Sequence, residues 1–197
     1  MINQNQSTMK RILFMAIAFT VAATFVGCTS KEKWNEEHRR ELRDEIATWR
    51  EIAYLENLDD LEFDEFSGDV VEAIEIDYPI YTTFIELPAR GDTVEVYVVS
   101  TIVDRLQTDA NNLRNIYPYP MLVDEGILPP GLDRQAQRAF YDCFARKVKA
   151  AFPSISSFFN AILNDTAPNS KIQQMQQQCA SDLFDWEISV DETIFFD

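Results

Sequence analysis

Apolar residues recur at helical spacing along most of the chain after residue 33, with charged residues between them. Four of them follow one another at spacings of four, three and four, which places them on one face of a helix: Leu42, Ile46, Trp49 and Ala53. The pattern predicts an amphipathic N-terminal helix over 34–56. Glu36 and Arg40 are spaced for an ion pair on its surface. We expect His38, the only histidine of the chain, to lie half-exposed at the edge of the apolar face.

Two segments of the chain after residue 57 are similar in sequence to each other. At an offset of 74 residues several apolar and helix-ending positions match: Leu58-Asp59 with Leu132-Asp133, Phe66 with Phe140, Ile74 with Val148, and Tyr78-Pro79 with Phe152-Pro153. After a three-residue insertion the offset is 77, and a further set matches: Val98, Ile102 and Leu106 with Met175, Cys179 and Leu183. Self-similarity at a fixed period is typical of structural repeats. It predicts two degenerate helical copies, with chance similarity as the alternative because the identities are few.

Residues 80–103 carry two conflicting patterns. β-Branched residues are dense on both sides of a glycine-containing turn at 88–92, which is typical of a β-hairpin. The matching part of the second copy is rich in glutamine and favours a helix. Asp92 and Glu95 also have the spacing of a capping box for a helix that begins at Thr93. We expect the helix, and the short hairpin stays the alternative.

Prolines separate the two copies. The connector 115–131 contains Pro118, Pro120, Pro129 and Pro130, which interrupt helices, and Asp133 is placed to cap the next one. Tyr117 and Tyr119 make this segment a candidate contact loop, since stiffly held tyrosines suit interfaces. The alternative is that both rings fill the gap between the two copies.

The predicted fold class is all-α, with a single helical domain over 34–197. Its parts are the N-terminal helix 34–56, the first copy 57–114, the connector 115–131, the second copy 132–185 and a tail 186–197. The tail alternates apolar and polar residues, so we expect an extended strand over the helices or a free end.

The segment before the domain has the features of a secretory signal. Lys10-Arg11 precede an uncharged stretch, Ile12–Phe25, which is followed by Gly27 and Cys28. A cysteine directly after the cleavage site resembles the lipobox of bacterial lipoproteins. The 16 residues of 12–27 are fewer than the roughly 18–20 that cross a bilayer, although an uncleaved anchor and a buried helix are the alternatives. Translation starts at Met1 or at Met9.

The lipobox resemblance implies a location. Residues 1–27 would be removed, the thiol of Cys28 would carry a diacylglyceryl group with an acylated amine, and 28–33 would be a tether. Thr29 and Ser30 stand where a retention aspartate directs lipoproteins to the inner membrane, so the resemblance implies the outer membrane. Whether the body faces the periplasm or the cell surface is left open. The expected partners are the membrane, through the lipid anchor, and an envelope protein.

Removal of residues 1–27, which hold two basic and no acidic residues, leaves 170 residues with a formal net charge of −18, compared with −16 for the whole chain. An aromatic content of 12% argues against disorder. A domain with this net negative charge repels nucleic acid, so we exclude nucleic acid as a partner. The simplest interpretation of the negative charge is that it keeps the domain soluble.

Two cysteines remain if Cys28 is lipidated. Cys143 and Cys179 are an even pair in an oxidising compartment and predict a disulfide, with free buried thiols as the alternative. Together with Phe152-Pro153-Ser154 they resemble small exported bacterial proteins of unknown function. That resemblance covers about a quarter of the chain, supports the disulfide and implies no activity.

The sequence contains no recognisable catalytic or metal-binding motif. An acidic stretch contains the alternating carboxylates of a calcium loop at Asp60, Glu62 and Asp64, but Glu65 and Val71 stand where that loop needs glycine and glutamate. No GxSxG elbow or glycine-rich phosphate loop is present. We therefore predict no metal, no cofactor and no catalytic residue.

Two functions remain from the sequence. The first is a membrane-anchored, non-enzymatic protein–protein interaction module. The alternative is a lipid-anchored ligand-binding or hydrolytic component of glycan or peptide uptake, with its site in a groove between the two copies.

Overall fold

The computed structural model describes residues 33–186, and this part of the chain is all-α, as predicted. Its α-helices are α1 (Glu36–Ile46), α2 (Ala53–Glu56), α3 (Asp60–Asp77), α4 (Tyr81–Ile85), α5 (Arg90–Thr108), α6 (Tyr119–Asp124), α7 (Arg134–Ala151), α8 (Ile155–Leu163) and α9 (Asn169–Phe184). Two 3-10 helices, Ala47–Trp49 and Ala110–Asn115, lie between them. The only β-pairing in the described part is an isolated antiparallel bridge between Lys33 and Ile80. Cys28 and residues 187–197 of the tail lie outside the described residues.

The order of the helices repeats at the predicted offset. Helices α3 and α7 both have 18 residues, and each begins after an aspartate N-cap, Asp59 or Asp133. The short helices α4 and α8 begin 74 residues apart, at Tyr81 and Ile155. Buried positions match as well: Phe66, Val70 and Ile74 of α3 with Phe140, Phe144 and Val148 of α7. Helix α5 packs against α3 in the first copy, and α9 packs against α7 in the second.

Residues 81–85 and 90–103 are helical, and a short loop at 86–89 joins them, so the hairpin alternative is wrong. Helix α5 buries one face whose residues recur every four positions, Val94, Val98, Ile102 and Leu106, together with the adjacent Val103. Burial of this face against α3 decides the structure, because strand preference of β-branched residues depends on the packing that they find. The predicted start at Thr93 is also wrong. The helix begins at Arg90 after Ala89, which makes no side-chain cap, and Asp92 lies inside its first turn.

The predicted N-terminal helix 34–56 is interrupted. Helix α1 buries Leu42 and Ile46 and ends there, and Trp49 is only partly buried on the 3-10 turn that follows. After this turn the short helix α2 begins at Ala53, and its residues Tyr54 and Leu55 are both fully buried.

The predicted ion pair between Glu36 and Arg40 is wrong, because Glu36 pairs with Arg39 instead, at 2.6 Å. Arg39 also donates two hydrogen bonds to Glu75 of α3, at 2.7 and 2.9 Å, and is thereby held on the side of α1 that faces α3. His38 is half-buried, as predicted, and its ring stacks on that of Tyr81 with centroids 3.5 Å apart.

The connector contains more helix than its prolines predict. Helix α6 begins at Tyr119 with Pro120 in its first turn, where a missing N–H removes no helical hydrogen bond. Leu122, Ile127 and Leu128 from this segment are buried in the core. Helix α7 ends just before Phe152-Pro153, as predicted. Ser154 then caps α8 by accepting a hydrogen bond from the amide of Ser157.

Candidate functional site

The predicted disulfide is present. Cys143 of α7 and Cys179 of α9 are bonded, with their Cα atoms 5.9 Å apart, and both side chains are buried. Both cysteines are therefore structural and supply no reactive thiol. The predicted lipidation site, Cys28, lies outside the described residues.

Tyr117 and Tyr119 are turned towards the core. The Tyr117 ring meets Phe144 edge-on at 5.6 Å, and burial raises the pKa of its hydroxyl. The hydroxyl of Tyr119 accepts a hydrogen bond from the amide of Leu132 and donates one to the carbonyl of Pro129, both at 2.9 Å. Both residues are half-buried, and their role as a contact loop stays a prediction.

The acidic stretch that begins at Asp59 is partly neutralised by arginines from other elements. Asp60 pairs with Arg50 at 3.0 Å, Asp64 pairs with Arg43 at 3.4 Å, and Glu62 pairs with Arg114. Within residues 33–186, no three His, Cys, Asp or Glu side chains are grouped so that they could hold a metal ion.

An apolar groove lies between the two copies. It has a volume of about 660 Å³ and runs between α5 of the first copy and α8 of the second, beside the turn that follows α1. Its apolar lining residues are Trp49, Ile52, Val96, Val99, Val103 and Leu163. Val96 is 65% exposed and Leu163 is 39% exposed, so the groove is accessible to a partner. A second cavity of about 430 Å³ shares Trp49, Ile52 and Leu163 with it.

The local structure explains why this groove is open. On α5 the buried face is formed by Val94, Val98 and Ile102, and Val96 projects from a different side of the helix. Helix α8 buries Ile155, Phe158 and Phe159, so that Leu163 is left at its outer end. Because α5 packs against α8, the apolar side chains that lie outside the buried faces of both helices come together on one surface.

The polar residues of the groove are mostly neutral. Ser100, Ser156, Asn160 and Asn164 line it, and Glu95 supplies the one carboxylate among its described lining residues. A glycoside hydrolase site needs two carboxylates on either side of the scissile bond, and a nucleophilic site needs a base beside its serine. This lining fits binding better than hydrolysis.

The charges around the groove are negative. Glu95 lies in it, Glu51 lines the adjoining cavity, and Asp92 precedes Val96 by one helical turn. None of these three carboxylates has an ion-pair partner among the described residues. The nearest arginines in sequence are engaged elsewhere: Arg50 pairs with Asp60, and Arg90 pairs with Glu45 at 2.5 Å.

Two further cavities lie away from the groove. One, between α1 and α3, is polar and contains the pair formed by Arg39 and Glu75. The other is lined by Arg114, Arg134 and Arg138, of which the first and last pair with Glu62 and Asp109. In the described part of the chain, none of the helices is long and apolar enough to cross a bilayer.

Comparison of the chain with models of protein families, with curated proteins and with solved structures finds no match. The alternative function from the sequence placed its site in a groove between the two copies, but the sequence did not identify the lining residues, because the two helices are far apart in the chain. One signal was present: Val96 is an apolar residue outside the periodic face of α5.

Proposed function

We propose that this chain is an envelope lipoprotein whose helical body is a non-enzymatic protein–protein interaction module. Cys28 would carry the acyl chains, and the body would stand at the outer membrane on the tether 28–33. Signal-like residues before Cys28 support the anchor. The acidic, disulfide-linked helical body agrees with residence in an oxidising compartment.

The apolar groove between α5 and α8 is the observation that carries the interaction role. Exposed apolar surface that is collected in one concave place, with a polar rim, is typical of binding sites. Its volume of about 660 Å³ is large enough to receive several side chains of a partner segment. A partner helix that lays an apolar stripe into a groove is a common mode of recognition.

The carboxylates beside the groove define the chemistry of the partner. Asp92, Glu95 and Glu51 have no ion-pair partner among the described residues, and the whole chain has a net charge of −16. Complementary charge accelerates association and suppresses wrong partners. We therefore assign to the groove an amphipathic partner segment with apolar side chains on one face and lysine or arginine on the flanks.

The test uses two labelled helical peptides with the same leucine stripe, one with lysine and one with glutamate on the polar face. Fluorescence anisotropy should show binding of the basic peptide and much weaker binding of the acidic one. Val96→Asp and Leu163→Asp should each weaken binding of the basic peptide at least tenfold. Leu61→Asp is the control, since Leu61 is 70% exposed, close to the 65% of Val96, and lies outside the groove.

Two results would contradict the proposal. One is equal affinity of the basic peptide for the wild-type chain and for both groove variants, which would place the binding elsewhere. The other is equal binding of the two peptides, which would remove the role of the carboxylates.

A further inference from the structure

One end of the body carries both the attachment point of the tether and a set of exposed isoleucines. Lys33, the first described residue, forms the β-bridge with Ile80. Helix α1 runs antiparallel to α3, since Arg39 contacts Glu75 while Arg43 contacts Asp64. The start of α1, the end of α3 and the short helix α4 therefore lie at the same end of the molecule.

Exposed apolar residues are concentrated there. Seven large hydrophobic residues of the described chain are exposed, and three of them fall within ten residues beside the bridge: Ile76 at 70%, Ile80 at 48% and Ile85 at 41%. Single exposed apolar residues are ordinary, but a group at one end of a molecule marks a contact surface. We name this group the isoleucine end.

Aromatic residues with a polar tip lie behind the isoleucines. Trp34 donates a hydrogen bond from its indole Nε1 to the carbonyl of Tyr78 at 2.7 Å, and its ring meets that of Tyr81 at 5.0 Å. Tyr78 and Tyr81 are partly buried. Trp34 is buried in the core, whereas Tyr78 and Tyr81 keep part of their surface exposed, and tyrosine favours the headgroup level of a bilayer.

We infer that the isoleucine end rests on the lipid bilayer into which the acyl chains of Cys28 insert; this inference rests on the proposed lipid anchor. The five residues from Cys28 to Lys33 span at most about 17 Å when fully extended. That reach keeps the isoleucine end close to the headgroups, while the opposite end of α3, about 27 Å away along an 18-residue helix, points outward.

The electrostatics of this end select the kind of lipid surface. Glu75 is paired with Arg39, and Asp77 accepts a hydrogen bond from the hydroxyl of Tyr97. Glu37 and Glu86 are exposed at this end and have no ion-pair partner among the described residues. The mature chain is also strongly acidic, which disfavours anionic headgroups. The surface that fits is therefore a bilayer of zwitterionic phospholipids.

A single environment-sensitive fluorophore on an introduced cysteine tests the orientation. Cys143 and Cys179 are bonded to each other, and the anchor would occupy the thiol of Cys28, so an introduced cysteine would be the one free thiol. Ile76→Cys, Ile80→Cys and Ile85→Cys are labelled in the full lipoprotein and reconstituted into phosphatidylethanolamine–phosphatidylcholine vesicles. Leu61→Cys is the matched control, because Leu61 has the same 70% exposure as Ile76 and lies near the other end of α3.

The expected result is a blue shift of the emission at positions 76, 80 and 85 and its quenching by brominated lipids, with neither effect at position 61. Aqueous, unquenched emission at position 80, equal to that at position 61, would overturn the inference. Intact mass spectrometry of the same samples separates the two proposals. Acylated protein with aqueous emission at position 80 refutes the membrane contact alone, whereas a mass without acyl chains refutes the anchor and, with it, this orientation.

Discussion

Asp69 and Cys143 occupy the same position in the two helical copies, 74 residues apart and each the tenth residue of its helix. Each of them joins the long helix of its copy to the helix that closes that copy. Asp69 of α3 pairs with Arg105 of α5 at 2.5 Å, and Cys143 of α7 is bonded to Cys179 of α9. The first link is an ion pair whose carboxylate is 55% exposed, and the second is covalent and buried. The two copies therefore differ in how strongly this link stabilises them.

The disulfide should contribute far more to the free energy of unfolding than the ion pair between Asp69 and Arg105. It closes a loop of 36 residues, which on the chain-entropy model stabilises the fold by about 4 kcal/mol. We expect Cys143→Ser with Cys179→Ser to lower the melting temperature by about 10 °C in circular-dichroism melts. Asp69→Asn is the matched control and should lower the free energy of unfolding by less than about 1 kcal/mol, since exposed ion pairs contribute little. A melting curve of the wild type that is the same with and without reductant would contradict this prediction.

The pair formed by Arg39 and Glu75 should make stability depend on pH. Hydrogen bonds from Arg39 hold the pKa of Glu75 below its ordinary value of 4.5, against the opposing effect of burial. A carboxylate with a lowered pKa in the folded state stabilises the fold at pH above about 4.5, and that stabilisation is lost as the pH falls through the folded-state pKa. We expect Glu75→Gln to lower the free energy of unfolding by about 1 kcal/mol at pH 7 and to have almost no effect at pH 2.

Urea denaturation at the two pH values measures this difference. Glu72→Gln is the control, since Glu72 is exposed on the same helix and has no ion-pair partner in the described part of the chain. A Glu75→Gln effect that is as large at pH 2 as at pH 7 would show that the charge of Glu75 is not its cause.

The hydroxyl of Tyr119 should stabilise the connector, while that of Tyr117 should not. Tyr119→Phe leaves the amide of Leu132 and the carbonyl of Pro129 without their hydrogen bonds, which costs about 1–2 kcal/mol. Tyr117→Phe keeps the ring on Phe144 and removes a hydroxyl that has no hydrogen-bond partner among the described residues, so we expect a change below about 0.5 kcal/mol. Chemical denaturation of both variants gives the comparison. Equal losses would mean that the two hydroxyls act alike.

Local signals in the sequence predicted a large part of this fold. Asp133 and Ser154 cap helices as their residue types and positions indicate. The offset of 74 residues correctly placed α3 and α4 against α7 and α8. It also favoured the helix over the hairpin in residues 80–103, where local preference alone pointed to strands.

Features that depend on distant contacts were not predictable. The break after Ile46 separates α1 from α2, whose Tyr54 and Leu55 lie in the core, and no period in the sequence records that break. The choice of Arg39 over Arg40 as the partner of Glu36 depends on Glu75 across the helix pair. The groove needs Val96 and Leu163 on one surface, and these residues lie on helices of different copies.

The two aspartate caps offer a quantitative test of how closely the copies correspond. Asp59 accepts a hydrogen bond from the amide of Glu62, and Asp133 accepts the equivalent bond from the amide of Ala136, both at 2.8 Å. Loss of an N-cap costs about 1 kcal/mol, and Asp59 has in addition the reciprocal bond from its own amide to the carboxylate of Glu62. We therefore expect Asp59→Ala and Asp133→Ala each to lower the free energy of unfolding by about 1 kcal/mol.

The urea midpoints of the two cap variants give the measurement, with Glu65→Ala as the control. Glu65 is an exposed residue within α3, and it has neither a cap role nor an ion pair among the described residues, so its replacement should change the midpoint little. The double variant Asp59→Ala with Asp133→Ala should lose about the sum of the single losses, because the capped ends belong to different copies. A loss confined to one of the two aspartates would show that the copies share their order of helices without sharing the interactions that begin them.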